Sequence, residues 1–286
     1  MNMKKLWKWY NGLSYRIRTS VKLAVCIIGL ISTIMSVLGV SLDDWTHKFW
    51  VSLTVILLVS FGLLLLIYWI IGYIFKDTVS MTIRQTPVSI SCGDIFDTEG
   101  FIVIGCDTHY DTRVDDIVIS KRSLHGKLVL EHGKEEDIKA AVEKEARRLH
   151  LSANSDGLYD FPLGTIIRYD SSKDNRTYLM LAMTELNENY EAHANMAKFE
   201  QMLMKMWSEI SRVYAGNDVA FPLLGTGISR FDDGPENKEF FLKCMLCTLN
   251  SSGVTLNSNV KVVIYGNAKD IPFYEYKDMF RSFQGR

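Results

Sequence analysis

The sequence predicts an α/β domain at 76–286, preceded by a hairpin of two apolar helices at 23–75. The α/β class follows from alternation: beyond residue 76, short apolar runs typical of buried strands alternate with amphipathic stretches typical of helices. The hairpin follows from composition, because the first 75 residues are mostly apolar with basic flanks. The formal net charge of -1 gives no global attraction to a polyanion, so no nucleic-acid partner is expected.

Two uncharged runs, at 23–42 and 49–75, form the predicted membrane hairpin. Each reaches the ~20 residues that a helix needs to cross the hydrocarbon core. Basic and aromatic residues fill the segment 1–22, whereas the turn between the runs carries Asp43 and Asp44. The positive-inside rule then predicts a multi-pass protein of the cell inner membrane with both termini in the cytoplasm. Because neither span carries an ionisable residue, a conducting path would require several copies, and a homo-oligomer is expected on activation.

The elements beyond residue 76 are predicted from their apolar periods. The stretch 100–105, GFIVIG, is continuously apolar and predicts a central strand, while 134–150 repeats apolar residues at the helical period. A Met-rich helix at 193–214 is predicted to pack its methionines in the hydrophobic core. The predicted strands are 88–91, 100–105, 164–169, 176–184, 218–224 and 260–265, and the predicted helices are 134–150, 193–214, 237–249 and 274–283. A sheet covered by helices on both faces binds ligands beyond the carboxyl ends of its central strands, which here means the loops after 105, 224 and 265.

A glycine-rich turn follows one of these strands directly, in the stretch 221–231, FPLLGTGISRF. Gly225 and Gly227 permit backbone conformations that a side chain would forbid. Consecutive unpaired N–H groups in such a turn form a concave anion site, which suits a phosphate or pyrophosphate. Arg230 can pair with that phosphate, or with Asp232 or Asp233 on the surface.

Cysteines and acidic residues do not predict a metal site. Five cysteines are an odd number, so reduced thiols are expected. Cys244 and Cys247 form a CxxC motif, but a second pair of ligands at similar spacing is absent from the sequence, so a core helix is favoured. A group of aspartates can be read as an acidic catalytic cluster, although a solvated loop explains it with fewer assumptions. Its members are Asp107, Asp111, Asp115 and Asp116.

The motifs of the second part resemble the macro domain, a family that binds ADP-ribose, over most of 81–283. Members of that family carry Gly-Asp-Ile before a central apolar strand, and Gly93, Asp94 and Ile95 precede GFIVIG here. The resemblance implies a three-layer α/β/α domain with a central mixed sheet. It also implies that Asp94 accepts a hydrogen bond from the adenine amino group, a role that suits a carboxylate because it only accepts.

The other site residues implied by the resemblance come from loops at the strand ends. The phosphate loop of the family is a glycine-rich turn that ends in an aromatic near the distal ribose, and GTGISRF matches it. The stretch SLHG at 123–126 stands for the first glycine-rich loop of the family, with one glycine kept. His109 and His125 can contact the ligand near neutral pH, or lie as solvated loop residues. The expected ligand-binding residues are Asp94, Ile95, Asp107, Thr108, His109, Ser123, Leu124, His125, Gly126, Leu224, Gly225, Thr226, Gly227, Ile228, Ser229, Arg230, Phe231 and Asn267.

One departure from the family pattern bears on catalysis. Many ADP-ribosyl hydrolases use an Asn-Ala-Ala-Asn-like segment to hold the distal ribose and a catalytic water, and this chain has CDTHYD at 106–111 instead. Because binding survives such a change more readily than catalysis, a binding protein without catalytic residues or cofactor is expected. Two alternatives stay open: an ADP-ribosyl hydrolase that uses Asp107, His109 or Asp111 to activate water, and a reader of ADP-ribosylated proteins.

The pairing of two apolar runs with a divergent macro domain resembles the membrane-anchored effector of bacterial Thoeris anti-phage defence. The resemblance implies a partner TIR-domain enzyme that makes an ADP-ribose-derived signal, understood in that branch to be histidine-ADP-ribose. It further implies that the bound signal drives oligomerisation, followed by membrane disruption or cell death.

Overall fold

The computed structural model describes residues 20–29, 49–74, 78–186, 192–194, 196–226, 230–231 and 238–266. They form two compact units, one within Met1–Val79 together with Ala268–Arg286, and one at Ser80–Asn267. In the first unit, helix α1 covers 20–29 and helix α2 covers Phe49–Ile74. Ala24 and Ile67 form a small buried cluster there, and other apolar side chains, such as Phe61 and Trp69, are exposed.

The predicted membrane location is contradicted by the structure. Within the described residues, no helix combines the length and the hydropathy that a bilayer span requires. The expectation of a multi-pass inner-membrane protein with spans at 23–42 and 49–75 is therefore corrected.

The second unit is built on a mixed sheet, and its strands come from segments spread between residues 78 and 264. The strands are β1 Thr78–Ile83, β2 Thr86–Cys92, β3 Phe101–Asp107, β4 Ile166–Asp170, β5 Thr177–Leu186, β6 Ala192–Ala194, β7 Val219–Pro222, β8 Arg230–Phe231 and β9 Val260–Ile264. Their order across the sheet is β1-β2-β9-β7-β3-β5-β6-β8, and β4 also pairs with β5. The central strands β2, β9, β7, β3 and β5 are parallel, whereas β4 and β6 run antiparallel to β5. Their carboxyl ends therefore meet at one edge.

Helices cover both faces of this sheet. Besides a 3-10 turn at Ile95–Asp97, they are α3 Leu124–Lys127, which continues as a π-helix at Leu128–His132, α4 Glu135–Arg148, α5 Met196–Val213 and α6 Lys238–Ser252. One face packs Ile138 and Val142 of α4 against Ile102 of β3 and its neighbours. On the other face, Trp207 of α5 lies 5.1 Å from the ring of Phe221 in β7. The three-layer α/β fold with a mixed central sheet is thus confirmed.

The structure differs from the predicted elements mainly in short strands that were not predicted. Strand β1 was not predicted; it joins β2 through Arg84 and Gln85, whose φ angles of 44° and 68° suit a two-residue hairpin turn. The Met-rich helix is core, as predicted, with Met202 and Met206 buried. Cys244 also lies buried within α6, as the core-helix interpretation of the CxxC motif predicts. The predicted helix 274–283 lies outside the described residues.

Candidate functional site

The candidate site lies at the edge where the parallel strands end. Gly93 and Asp94 follow β2, Asp107 ends β3, and the turn at Leu224–Thr226 follows β7. Tyr265 and Gly266 follow β9, between β2 and β7 in the sheet. The three loops that the sequence singled out are therefore neighbours, which places several predicted ligand residues on one edge.

Asp94 begins the short turn that leaves β2. Its Oδ1 accepts a hydrogen bond from the backbone N–H of Phe96, with a distance of 3.0 Å between oxygen and nitrogen. The backbone N–H of Gly93 donates to the carbonyl of Ile264 at 3.2 Å, which ties this turn to the end of β9. Asp94 thus caps the turn, while its contact with adenine stays a prediction. Ile95 is buried beneath it as core.

The glycine-rich turn after β7 is held by its own residues and by α6. Leu223 donates its N–H to the carbonyl of Val263 at 3.2 Å, and the hydroxyl of Thr226 donates to the carbonyl of Leu223 at 2.8 Å. Gly225 has φ +88°, and a Cβ there would lie 2.4 Å from the ring of Phe241. Glycine is therefore required here both by conformation and by packing.

The rest of this loop is described only in part. Arg230 and Phe231 form β8, which pairs with His193 and Ala194 of β6. Their predicted contacts with the ligand stay predictions. The remaining predicted members of the site, Gly227, Ile228, Ser229 and Asn267, lie outside the described residues, as do Asp232 and Asp233.

A buried aspartate–histidine pair lies where β3 ends. Asp107 Oδ2 is 3.7 Å from His125 Nδ1, and both side chains are less than a tenth exposed. Asp107 Oδ1 accepts from the N–H of His109 at 2.8 Å. In contrast, Asp107 Oδ2 and His125 Nε2 are buried without a hydrogen-bond partner in the described part of the chain. Burial lowers the pKa of His125, and the carboxylates of Asp107 and Asp111 oppose this shift.

The aspartates after β3 divide into two kinds, which corrects the solvated-loop interpretation. Asp107 and Asp111 are buried, whereas Asp115 and Asp116 lie in the exposed part of the loop. Burial by itself would raise the pKa of Asp111, but hydrogen bonds and charge from Arg113 hold it below its usual value. Within the described residues, no group of three or more potential ligands could hold a metal ion.

The stretch 123–126 is a helix start rather than a glycine-rich loop. Ser123 caps α3 by accepting from the N–H of Gly126 at 2.9 Å. A Cβ on Gly126 would lie 2.2 Å from the carbonyl oxygen of Ser120, so the glycine permits a close approach of two backbone segments. Leu124 lies on the same turn and is only partly buried, while His125 is turned inward. The solvated-loop alternative for His125 is therefore wrong.

An open polar cavity of about 420 Å³ adjoins the end of β3 on the β5 side. His109 lines it, and its Nδ1 lies 3.0 Å from the carbonyl oxygen of Tyr159. The cavity is lined by Thr108, His109, Asp160, Phe161, Pro162, Leu163 and Glu185. Two predicted ligand residues thus share a wall with five residues that were not predicted.

Comparison with protein families identifies the family of the domain. The family model described as Thoeris protein ThsA, Macro domain, matches residues 88–265, which is more than half of the chain. The chain belongs to this macro domain family. A relative named Thoeris protein ThsA, from Bacillus amyloliquefaciens (strain Y2), is 26% identical over 230 residues, covering 78% of this chain and 77% of the relative.

Solved macrodomains of Oceanobacillus iheyensis share the fold. One, with ADP, superposes with a TM-score of 0.50 at 17% identity, covering 72% of this chain and 98% of its own. A glycine-to-valine mutant of the same macrodomain, with ADPR, gives a TM-score of 0.50 at 17% identity, covering 72% of this chain and all 100% of its own. At this identity, the similarity bears on the fold alone.

The five cavity-lining residues that were not predicted from the sequence lie on the β5 side of the candidate site. Asp160 to Leu163 precede β4, and Glu185 lies near the end of β5. No sequence motif marks these residues. The loop before β4 reaches the site because β4 runs antiparallel to β5, and this strand pairing leaves no pattern in the loop itself. The one available signal was register: Asp107 of β3 lies opposite Thr184, which places Glu185 at the same edge.

Proposed function

We propose that this macro domain binds an ADP-ribose derivative and acts as an effector of anti-phage defence. The observation that carries the proposal is the alignment of Asp94, the Gly225 turn and Asp107 along one edge of the sheet. Membership of the Thoeris ThsA macro domain family supports the defence role, and macrodomains of the same fold with ADP or ADPR support the ligand class.

The spacing of the strands fits an extended dinucleotide-like ligand. Strands β2 and β7 are two positions apart in the sheet, so Asp94 and the Gly225 turn are separated by about 10 Å across the sheet. In the proposed pose, Asp94 faces the adenine and the turn at 225–229 offers backbone N–H groups to the pyrophosphate. The distal ribose then lies over β3, near Asp107 and Thr108.

The ligand that we propose is a signal made from NAD by a TIR-domain enzyme, with histidine-ADP-ribose as the first candidate. Occupancy of the site would favour a conformation that self-associates. Such a switch requires the ligand to bind the associating state more tightly, by about 5.5 kcal/mol for a shift from ~1% to ~99%. The support for this part is the family to which the chain belongs.

Calorimetry on the full chain tests the binding proposal. ADP-ribose and histidine-ADP-ribose are titrated into the wild type, into Gly227→Glu and into Gly157→Glu. Gly157→Glu is the control, because Gly157 is exposed, has φ +77° and has no atom within 4 Å of the position of its Cβ. We expect binding to the wild type and to the control, and its loss in Gly227→Glu. Unchanged affinity in Gly227→Glu would mean that the pyrophosphate lies elsewhere.

Sedimentation velocity on the same samples tests self-association. We expect a larger species only in the presence of a ligand that binds. A sedimentation coefficient that does not change at saturating ligand would refute the switch while leaving the binding proposal intact.

A second candidate function, ADP-ribosyl hydrolysis, is favoured by the buried Asp107–His125 pair. Buried polar atoms without partners are rare in folded proteins and call for an explanation, such as a water or a substrate group. Within the part of the chain that the structure describes, Asp107 Oδ2 and His125 Nε2 are two such atoms on neighbouring side chains. Chromatography of the recovered ligand separates the candidates: turnover that is lost in Asp107→Asn supports the hydrolase, whereas intact ligand supports the binding protein.

A further inference from the structure

We propose that His132 is a positioning residue for Asp94: through the ring of Phe96, it holds the Asp94 carboxylate in the orientation that recognises the adenine amino group. This inference rests on the proposed function, in which Asp94 faces the adenine. His132 ends the π-helix at Leu128–His132 and is far from Asp94 in the sequence, so only the structure brings the two together.

The orientation of the Asp94 carboxylate depends on the position of Phe96. One carboxylate oxygen, Oδ1, accepts the backbone N–H of Phe96 at 3.0 Å, and this capping bond fixes the rotation of the side chain. The other oxygen, Oδ2, makes no hydrogen bond within the described residues, so it can accept one from an amine. A shift of Phe96 would therefore turn Oδ2 away from the adenine.

Phe96 is buried and is held both at its ring and at its carbonyl. Its ring stacks on the ring of His132, with 4.2 Å between the centroids and 10° between the planes. Its carbonyl oxygen accepts a hydrogen bond from Nη1 of Arg176. The turn that begins at Asp94 is thus anchored two residues later by side chains from other segments of the chain.

Asp174 fixes the ring of His132 in turn. Nδ1 of His132 lies 3.0 Å from Oδ2 of Asp174, and the hydroxyl of Tyr178 donates to the same oxygen at 2.6 Å. Burial by itself would raise the pKa of Asp174, but hydrogen bonds from Tyr178 and His132 hold it below its usual value, so the carboxylate is ionised near neutral pH. Because an ionised carboxylate only accepts, Nδ1 of His132 carries the proton. The imidazole cannot rotate away from Phe96 without losing this bond.

The backbone around His132 is tied to the turn between β4 and β5. The hydroxyl of Ser171 donates to the carbonyl of His132 at 2.5 Å, and Nζ of Lys173 donates to the carbonyl of Leu130 at 2.8 Å. These bonds satisfy carbonyl groups at the end of the π-helix, an uncommon element that is frequent at functional sites. The π-helix and the β4–β5 turn therefore converge on Phe96 as one support.

Calorimetry on the full chain tests the proposal with two ligands. They are ADP-ribose and its purine analogue, in which hydrogen replaces the amino group of adenine. His132→Ala removes the stacked ring, whereas His132→Phe keeps a ring and removes only the bond to Asp174. Asp94→Ala removes the proposed acceptor. His150→Ala is the control, because His150 is an exposed histidine at the end of α4.

We expect the wild type to prefer ADP-ribose, because only its amino group can donate to Asp94. His132→Ala should reduce this preference about tenfold, which corresponds to about 1.4 kcal/mol, while the affinity for the purine analogue stays unchanged. His132→Phe should restore part of the preference, and His150→Ala should change neither affinity. In the Asp94→Ala background, His132→Ala should have no further effect on ADP-ribose binding, since the two residues act as one unit.

An undiminished preference in His132→Ala would overturn the inference. An equal loss of affinity for both ligands would do the same, because it would indicate support of the fold alone. If His132→Ala does not fold, His132→Phe decides by the same comparison, and a preference equal to that of the wild type would count against the inference. Equal binding of the two ligands to the wild type would refute the contact between Asp94 and adenine, and the inference with it. Failure of the wild type to bind either ligand would refute the proposed function itself.

Discussion

The substitution Gly225→Ala should destabilise the domain by more than the backbone conformation alone explains. Gly225 has φ +88°, a left-handed conformation that costs an L-residue about 1–2 kcal/mol. The added Cβ would also lie 2.4 Å from Cδ1 of Phe241, which one of the two residues must relieve by moving. Overpacking of this kind costs about 1–3 kcal/mol, so the expected total is about 2–5 kcal/mol.

Gly216→Ala is the control that measures the conformational cost alone. Gly216 has φ +76° and no atom within 4 Å of the position of its Cβ, so only the conformational cost of about 1–2 kcal/mol applies. The free energies of unfolding of the full chain are measured with urea and far-UV circular dichroism. A second background, Phe241→Leu, removes part of the ring, so Gly225→Ala should cost less there, by at least about 0.5 kcal/mol.

Two results would refute this reasoning. If Gly225→Ala is no more destabilising than Gly216→Ala, the ring of Phe241 does not pack against the turn. If the penalty is the same in the Phe241→Leu background, the two residues are not coupled. In either case, α6 would not support the turn that we assign to the pyrophosphate.

Three further predictions concern buried groups. Burial lowers the pKa of His125, so protonation of this residue favours the unfolded chain. The free energy of unfolding should be highest above pH ~6.5 and should fall as the pH drops towards the lower pKa of the folded state. Urea unfolding at pH 5 to 7 should show a smaller fall in His125→Gln. Thr248→Val should cost about 1–3 kcal/mol, because the buried indole N–H of Trp207 loses its acceptor, which lies at 3.0 Å; an unchanged urea midpoint would contradict this. Burial raises the pKa of Cys244 to about 11, so a thiol reagent at pH 8 should modify Cys244 more slowly than the exposed Cys26. Peptide mass spectrometry measures the two rates, and equal rates would contradict the buried position of Cys244.

The sequence could predict the parts of the fold that depend on apolar periodicity. GFIVIG is predicted as a central strand because it is continuously apolar, as expected where both faces of a strand are covered, and residues 101–104 of β3 are buried; VKVVIY is predicted as a strand, and β9 lies there. The parallel order of those strands then places their following loops at one edge. The strand pattern therefore predicts the loops after 105, 224 and 265 as one site, whereas the assignment of Asp94 to that site comes from the resemblance to macro domains.

The rest depended on tertiary contacts that leave no periodic trace. Asp107 and Asp111 are polar residues at and just after the end of β3, and no apolar pattern marks them as buried; Asp107 lies beside His125, which is distant in sequence. Gly126 looked like a remnant of a glycine-rich loop, but the glycine is needed because Ser120 approaches α3 closely. The apolar length of the first 75 residues indicated membrane spans, and no described helix meets that requirement.

Hydrogen–deuterium exchange of the full chain with and without ADP-ribose tests the central claim most directly. The amides of the peptide that covers 221–231 should exchange more slowly when the ligand is bound, and so should those at 93–96, because the claim places the pyrophosphate on the first segment and the adenine on the second. Protection confined to other strand ends, or none at a ligand concentration that saturates the calorimetric signal, would contradict it.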